Sequence, residues 1–219
     1  MPSRNVLSAL AVLVLALAVV PMIGDKYWIK LATRMIVLGI FAMSLDLLVG
    51  YTGLVSFGHA AFFGLSGDVL HLVSPEDAAA NMAWALPVCL GVTALAALVI
   101  GALSVRTKGV YFIMVTLAFA QMLFYFFHDS DLAGGSDGAY IYFKPILALG
   151  SVVLVDLGGS AVLFYFSLVS LIVLYAGLVM VLRAPFGKVI QGIKVNEHRM
   201  QALGFNTYLY KLVSFVIAG

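Results

Sequence analysis

The sequence predicts an all-α fold, a polytopic bundle of membrane helices containing one broken helix and a cytoplasmic coupling-helix loop. Three observations carry that expectation. Of 219 residues, 63% are hydrophobic and only 10% charged, with a mean hydropathy of +1.12; soluble domains carry about 25% charged residues. Apolar runs long enough to cross a bilayer recur along the whole chain, and about 18 such residues with few charges suffice. One of these regions is interrupted by Gly50-Tyr-Thr-Gly-Leu-Val-Ser-Phe-Gly-His-Ala-Ala-Phe-Phe-Gly-Leu-Ser-Gly67, which has five glycines, two serines and a histidine in eighteen residues. Lipid offers backbone N–H and C=O groups no partner, so irregular glycine-rich backbone at that depth must be buried in protein or line a cavity. Broken helices of this kind build mid-membrane paths in transporters.

The elements follow in order. Met1–Ile23 has Arg4 ahead of a long apolar run and no small-residue cleavage site before Asp25, so it is expected to be an uncleaved first span, Val6–Ile23. Further spans are expected at Arg34–Val49, at the broken segment Leu54–Val73, and at Ala83–Leu103, Val110–His128 and Ala161–Leu182. Pro145–Leu157 is too short to cross and is expected to be an interfacial or re-entrant piece. A last helix begins near Lys211, and Leu212–Gly219 falls short of the ~20 residues a span requires. The chain is therefore expected to be one permease-like domain over residues 1–219, incomplete at its C-terminus, with a coupling loop at 183–210.

Charge sets the orientation. The loop Arg183–Lys211 holds five cations against Glu197, so it is placed in the cytoplasm, and Arg106 and Lys108 fall on the same side. Lys26, Lys30 and Arg34 then fall outside, against the rule; a single crossing of Met35–Val73 with a re-entrant piece would instead move them inside. Within the loop, Pro185 suits a first helical turn and Gly204 the position just past an end. Phe186, Val189, Ile190, Ile193, Met200 and Leu203 recur at helical spacing. Such a basic amphipathic helix either lies on lipid or docks in a groove of a soluble partner.

Candidate path residues are Asp46, Gly53, Ser56, Gly58, His59 and Asp68. Asp46 either bonds local backbone or pins the broken helix. His59 is either a satisfied core histidine or a path contact. Asp68 is an intramembrane carboxylate, a functional candidate by default, or a solvated helix end. Ala60, Gly64 and Gly67 fit close helix packing. Cys89 is the single cysteine, and His59, His71 and His128 have no metal spacing, so no metal is expected. The net charge of +2 is too small and dispersed for nucleic acid. No Gly-x-x-x-x-Gly-Lys-Ser/Thr loop occurs, so energy comes from another polypeptide or an ion gradient.

The glycine motif resembles the signature of branched-chain amino-acid ABC transporter permeases of the LivM type. Lys108-Gly-Val-Tyr-Phe-Ile-Met-Val-Thr-Leu-Ala-Phe-Ala-Gln121, then Gly134-Gly-Ser-Asp-Gly138, then the Ala184–Lys211 loop match it in the same order. The resemblance implies a permease partnered by a second related permease, two cytoplasmic ATPases and a periplasmic binding protein in the bacterial inner membrane. Nucleotide would then bind the ATPases and this chain would hold no cofactor. It implies ATPase coupling through Pro185, Phe186, Gly187, Ile190, Ile193, Asn196, Glu197 and Gly204. It makes Gly134, Gly135, Ser136 and Asp137 a docking or entry loop, alone only a turn signal. The substrates implied are branched-chain amino acids, with urea, amides and aromatic acids among relatives. Asp68 departs from the family, which usually has alanine there. An ion-coupled secondary transporter using Asp46, Asp68 and His59 is the alternative.

Overall fold

The computed structural model describes residues 17–21, 24–75, 79–130, 132, 134–135, 138, 143–149 and 152–219. Most of the expected first span, together with Ser136 and Asp137, lies outside the described residues; 17–21 are helical. Helix α1 is Lys26–Asp46 and runs straight into a π-helical turn, Leu47–Thr52. An irregular stretch then leads to α2, His59–Val73. Helices α3 (Met82–Ser104), α4 (Val110–His128) and α5 (Ser160–Arg183) follow, with a hairpin of β1 (Ile146–Leu149) and β2 (Val152–Asp156) before α5. The loop helices are α6, Pro185–Val195, and α7, Glu197–Ala202, and α8 is Thr207–Ala218. Helix makes up 78% of the structure, so the hairpin leaves the fold class as all-α.

Among the described residues, four segments are long and apolar enough to cross a membrane: Lys26–Thr52, Met82–Ser104, Val110–His128 and Ser160–Arg183. Their exposed faces are crowded with large hydrophobics such as Leu95, Met122 and Val173, a surface suited to lipid and not to water. Caps define the ends that matter here. Asn81 accepts from Ala83 N–H at the start of α3, Asn196 from Arg199 N–H at α7, and Asn206 from Leu209 N–H at α8, each satisfying one orphan donor of a first turn. Pro185 opens α6, where its missing N–H costs nothing.

Pro145–Leu157, expected to be an interfacial or re-entrant piece too short to cross, forms an antiparallel hairpin, with Leu149 opposite Val152. Asn81 ties it to α3 by donating to Ala148 O and accepting from Ala148 N–H, 3.0 and 3.3 Å. Val152, Val153 and Val155 favour a strand, and the two strands satisfy each other's backbone groups.

Between Lys26 and Asp68 the chain runs to the coupling-loop end of the bundle and back. Ile29 and Ile36 pack with Phe164 and Leu168 near the start of α5, whereas Asp46 and Tyr51 share a cleft with Arg183 at its end. Thus α1 and α5 run parallel, and α1 ends beside the coupling loop. Helix α2 then returns, bringing Asp68 to the same cleft as His128, the far end of α4. This there-and-back path does not fit a single crossing of Met35–Val73. Lys26, Lys30 and Arg34 sit at the end opposite α6 and α7.

A core of Leu47, Leu48, Phe62, Ala97, Phe112, Ile190 and Phe215 binds the break, α2, α3, α4, α6 and α8 together at the coupling-loop end. Gly101 makes the α3–α8 crossing possible, since an added Cβ there would stand 2.7 Å from the Phe215 ring.

Candidate translocation cleft and coupling loop

The break is built by backbone that an ordinary helix could not continue. The π turn widens α1, and Thr52 donates its hydroxyl back to Leu47 O at 3.0 Å; single π turns of this type gather at functional sites. Gly53 ends it with φ +79, a left-handed position that favours glycine. Gly58 passes so close to α4 that a Cβ would lie 2.2 Å from Thr116 O. These two glycines are therefore fixed by conformation and by contact respectively.

Helix α6 sits directly on this break. The Lys194 ammonium donates to Gly50 O, and its stem lies against Gly53. Val189, Ile190 and Ile193 are buried, Ile190 completely, in this chain's own core. That corrects the expectation that Ile190 and Ile193 dock a soluble partner: the apolar stripe is buried within this chain itself. Pro185 and Asn196 are exposed, Phe186 is half-buried and stacked on Tyr210, and Gly187 is packed against the Leu182 backbone. The face left open at this end carries Lys188, Gln191, Val195, His198, Arg199 and Leu203. The loop is also two helices, not one, because Asn196 leaves helical backbone (φ −157) to cap α7, and Gly204 (φ +87) ends it.

Glu197 pins α7 to two other elements. Its carboxylate accepts from Lys211 of α8 at 2.7 Å and from Lys108 of the α3–α4 turn at 3.3 Å. Thr207 Oγ1 donates to it at 3.2 Å and accepts from Gln201 at 3.0 Å. Partial burial on its own would push the Glu197 carboxyl up; the hydrogen bonds and charges of Lys211 and Lys108 outweigh that and hold it below the usual carboxylate range. Arg106 lies 6.0 Å over the Tyr208 ring of α8. The basic turn and the basic loop thus share one end, as the charge count expects.

On the other side of the break, α2 and α4 enclose a cleft of about 530 Å³. Phe57, Ala60, Gly64 and Asp68 line one wall; Leu117, Gln121, Phe124 and His128 line the other; Gly135 and Gly138 reach its mouth. Asp68 is half-buried. Ala60 and Gly64 line open space here, and nothing stands within 4 Å of a Cβ on Gly64 or Gly67. The smallness of Ala60 and Gly64 widens the cleft, and close helix packing is found at Gly58 and Gly101. Gln121 is not among the path candidates, although a glutamine within an apolar span was the available signal, and His128 is weighed from sequence only as a metal ligand.

The remaining candidates are dispersed. Ser56 and His59 are buried. His59 Nε2 pairs with Ala218 O at 2.7 Å, and its ring is wedged edge-on between Phe62 and Phe215. Asp46 is exposed and borders a separate cleft of about 870 Å³ with Tyr51, Tyr175, Arg183 and Gln191. Gly134 is exposed at φ +78. Among the described residues, no group of three His, Cys, Asp or Glu could hold a metal.

Comparison with known proteins decides the family. A family model described as branched-chain amino acid transport system / permease component matches residues 27–219. The chain belongs to this permease family. It is a multi-pass inner-membrane protein. It is 23% identical, over 98% of its length, to proteins from Salmonella typhimurium and Escherichia coli (strain K12), each named high-affinity branched-chain amino acid transport system permease protein LivM. The chain spans about half the length of these relatives, 55%. No solved structure matches it.

Proposed function

We propose that this chain is a translocation subunit of an ATP-driven importer for branched-chain amino acids or related small polar solutes. It would work with a second related permease, two cytoplasmic ATP-binding subunits and a periplasmic binding protein, and leave nucleotide to the ATPases. The observation that carries this reading is α6 seated on the broken helix through Lys194 and Gly50, with a polar face of α6 and α7 left exposed. A subunit pushing on that face would move the inner end of the break with it. The α2–α4 cleft, with Asp68, Gln121 and His128 on apolar walls, suits a small solute that is apolar with a polar head.

A proton-driven carrier is less well supported. Asp68 and His59 lie nine residues apart on α2, about 13 Å along the axis, and His59 is engaged by Ala218 O while Asp46 borders another cleft. Uptake into vesicles reconstituted with the full set of subunits separates the readings. ATP-dependent uptake insensitive to an uncoupler supports the importer, and uptake that needs only a proton gradient overturns it.

A further inference from the structure

The three cations that defy the charge rule form a structured surface. Lys26, Lys30 and Arg34 are all exposed on the first two turns and more of α1, spaced by four residues so that they climb one side of the helix. Tyr27, 70% exposed and three residues before Lys30, stands beside them, and Trp28, 58% exposed, lies at the same level on another side of the helix. Ile29, Thr33 and Ile36 form the buried side, Ile29 and Ile36 packing on α5; at 3.6 residues per turn Lys30 lies to one side of that face and Arg34 turns further from it. Among the described residues the ion pairs all involve Glu197 at the other end; the nearest acid along the chain is exposed Asp25.

Depth sharpens the argument. Lys26–Thr52 is 27 residues, about 40 Å of helix, which matches a whole bilayer with its headgroups. With Lys26 at the headgroup surface, Arg34 lies about 12 Å below it, at or under the edge of the hydrocarbon. A guanidinium there, with no carboxylate partner among the described residues, is costly and must snorkel to an anion. Tyr and Trp at the same level are what an interfacial belt requires. A phosphate held between Lys30 and Arg34 would meet a planar two-pronged donor from the arginine and a point charge from the lysine.

We infer that Lys30 and Arg34, beside Tyr27 and at the level of Trp28, bind the headgroup of an anionic phospholipid in the leaflet opposite the α6–α7 loop. The purified chain in phosphatidylcholine nanodiscs doped with phosphatidylglycerol tests it, with retained lipids counted by native mass spectrometry. The wild type is expected to retain phosphatidylglycerol preferentially, and Lys30→Gln with Arg34→Gln to lose that preference by about thirtyfold, from two basic contacts. Lys30→Arg with Arg34→Lys keeps the charges and should keep most of the preference, which separates charge from folding. Lys188→Gln with Arg199→Gln, at the opposite end, should leave it unchanged. Equal retention of the two lipids by the wild type, or undiminished preference in the glutamine pair, overturns the inference. So does equally tight binding of soluble glycerol phosphate, which would make the ligand a free anion.

Discussion

Gly58 shows how little space the break leaves. Its Cα faces the Thr116 carbonyl, a backbone oxygen that cannot swing aside. Gly58→Ala should therefore destabilise the bundle by about 1–3 kcal/mol, the usual range for an overpacked core. Gly64→Ala, with nothing within 4 Å, should be neutral within about 0.5 kcal/mol. Thermal unfolding in detergent checks both; equal effects would refute the close-approach account. Glu197 is a second case. Glu197→Ala leaves the Lys211 ammonium, 8% exposed, without its carboxylate and should cost about 2 kcal/mol. Because the folded carboxyl titrates below its ordinary value of 4.5, the pair's contribution is complete above that value. It is lost as pH falls through the lowered folded value. Wild-type stability should consequently drop on acidification more than that of Glu197→Ala, measured as Tm against pH.

At the scale of elements, the coupling loop divides into an inward and an outward face. Ile193 is 3% exposed, so Ile193→Asp buries an unpaired carboxylate inside this chain and should destabilise it by about 3 kcal/mol. Val195, 86% exposed, offers the contrast: Val195→Asp should leave Tm unchanged and weaken only the binding of a subunit that covers it. Co-purification of the ATPase with each variant, beside Tm of the chain alone, distinguishes the two faces. The helical period of Phe186, Val189, Ile190 and Ile193 was legible in the sequence because an amphipathic repeat reports that one side is buried. What buries it was not legible, since the same stripe fits a partner's groove, a lipid surface or the chain's own core. Likewise Pro145–Leu157 read as too short to cross, yet its pairing partner lay within itself, across a turn.

For the molecule as a whole, the α2–α4 cleft and the coupling loop occupy opposite sides of the break. If solute passes through this cleft, Asp68 should select by charge. Coulomb attraction for an ammonium at about 4 Å is worth about 1 kcal/mol in water and about 4 at a partly shielded site. Asp68→Ala should then lower preference for amine-bearing over neutral analogues by at least about fivefold, without altering basal ATP hydrolysis. Competition uptake in the assembled importer provides the measurement; unchanged ratios would remove Asp68 from the selectivity role.

Composition and hydropathy determined by themselves that this chain crosses a membrane several times as helices, because burial in lipid demands long apolar segments whatever their neighbours. The glycine run likewise determined that one helix is broken, since that many Cβ-less residues mark places where a continuous, evenly packed helix is not wanted. Contacts between residues far apart in sequence decided the rest. Lys194 on Gly50, Glu197 between Lys108 and Lys211, and His59 against Ala218 O join segments separated by up to 159 residues. No local pattern encodes such pairs: each side chain alone is compatible with lipid, water or protein, and only the packed bundle chooses among them.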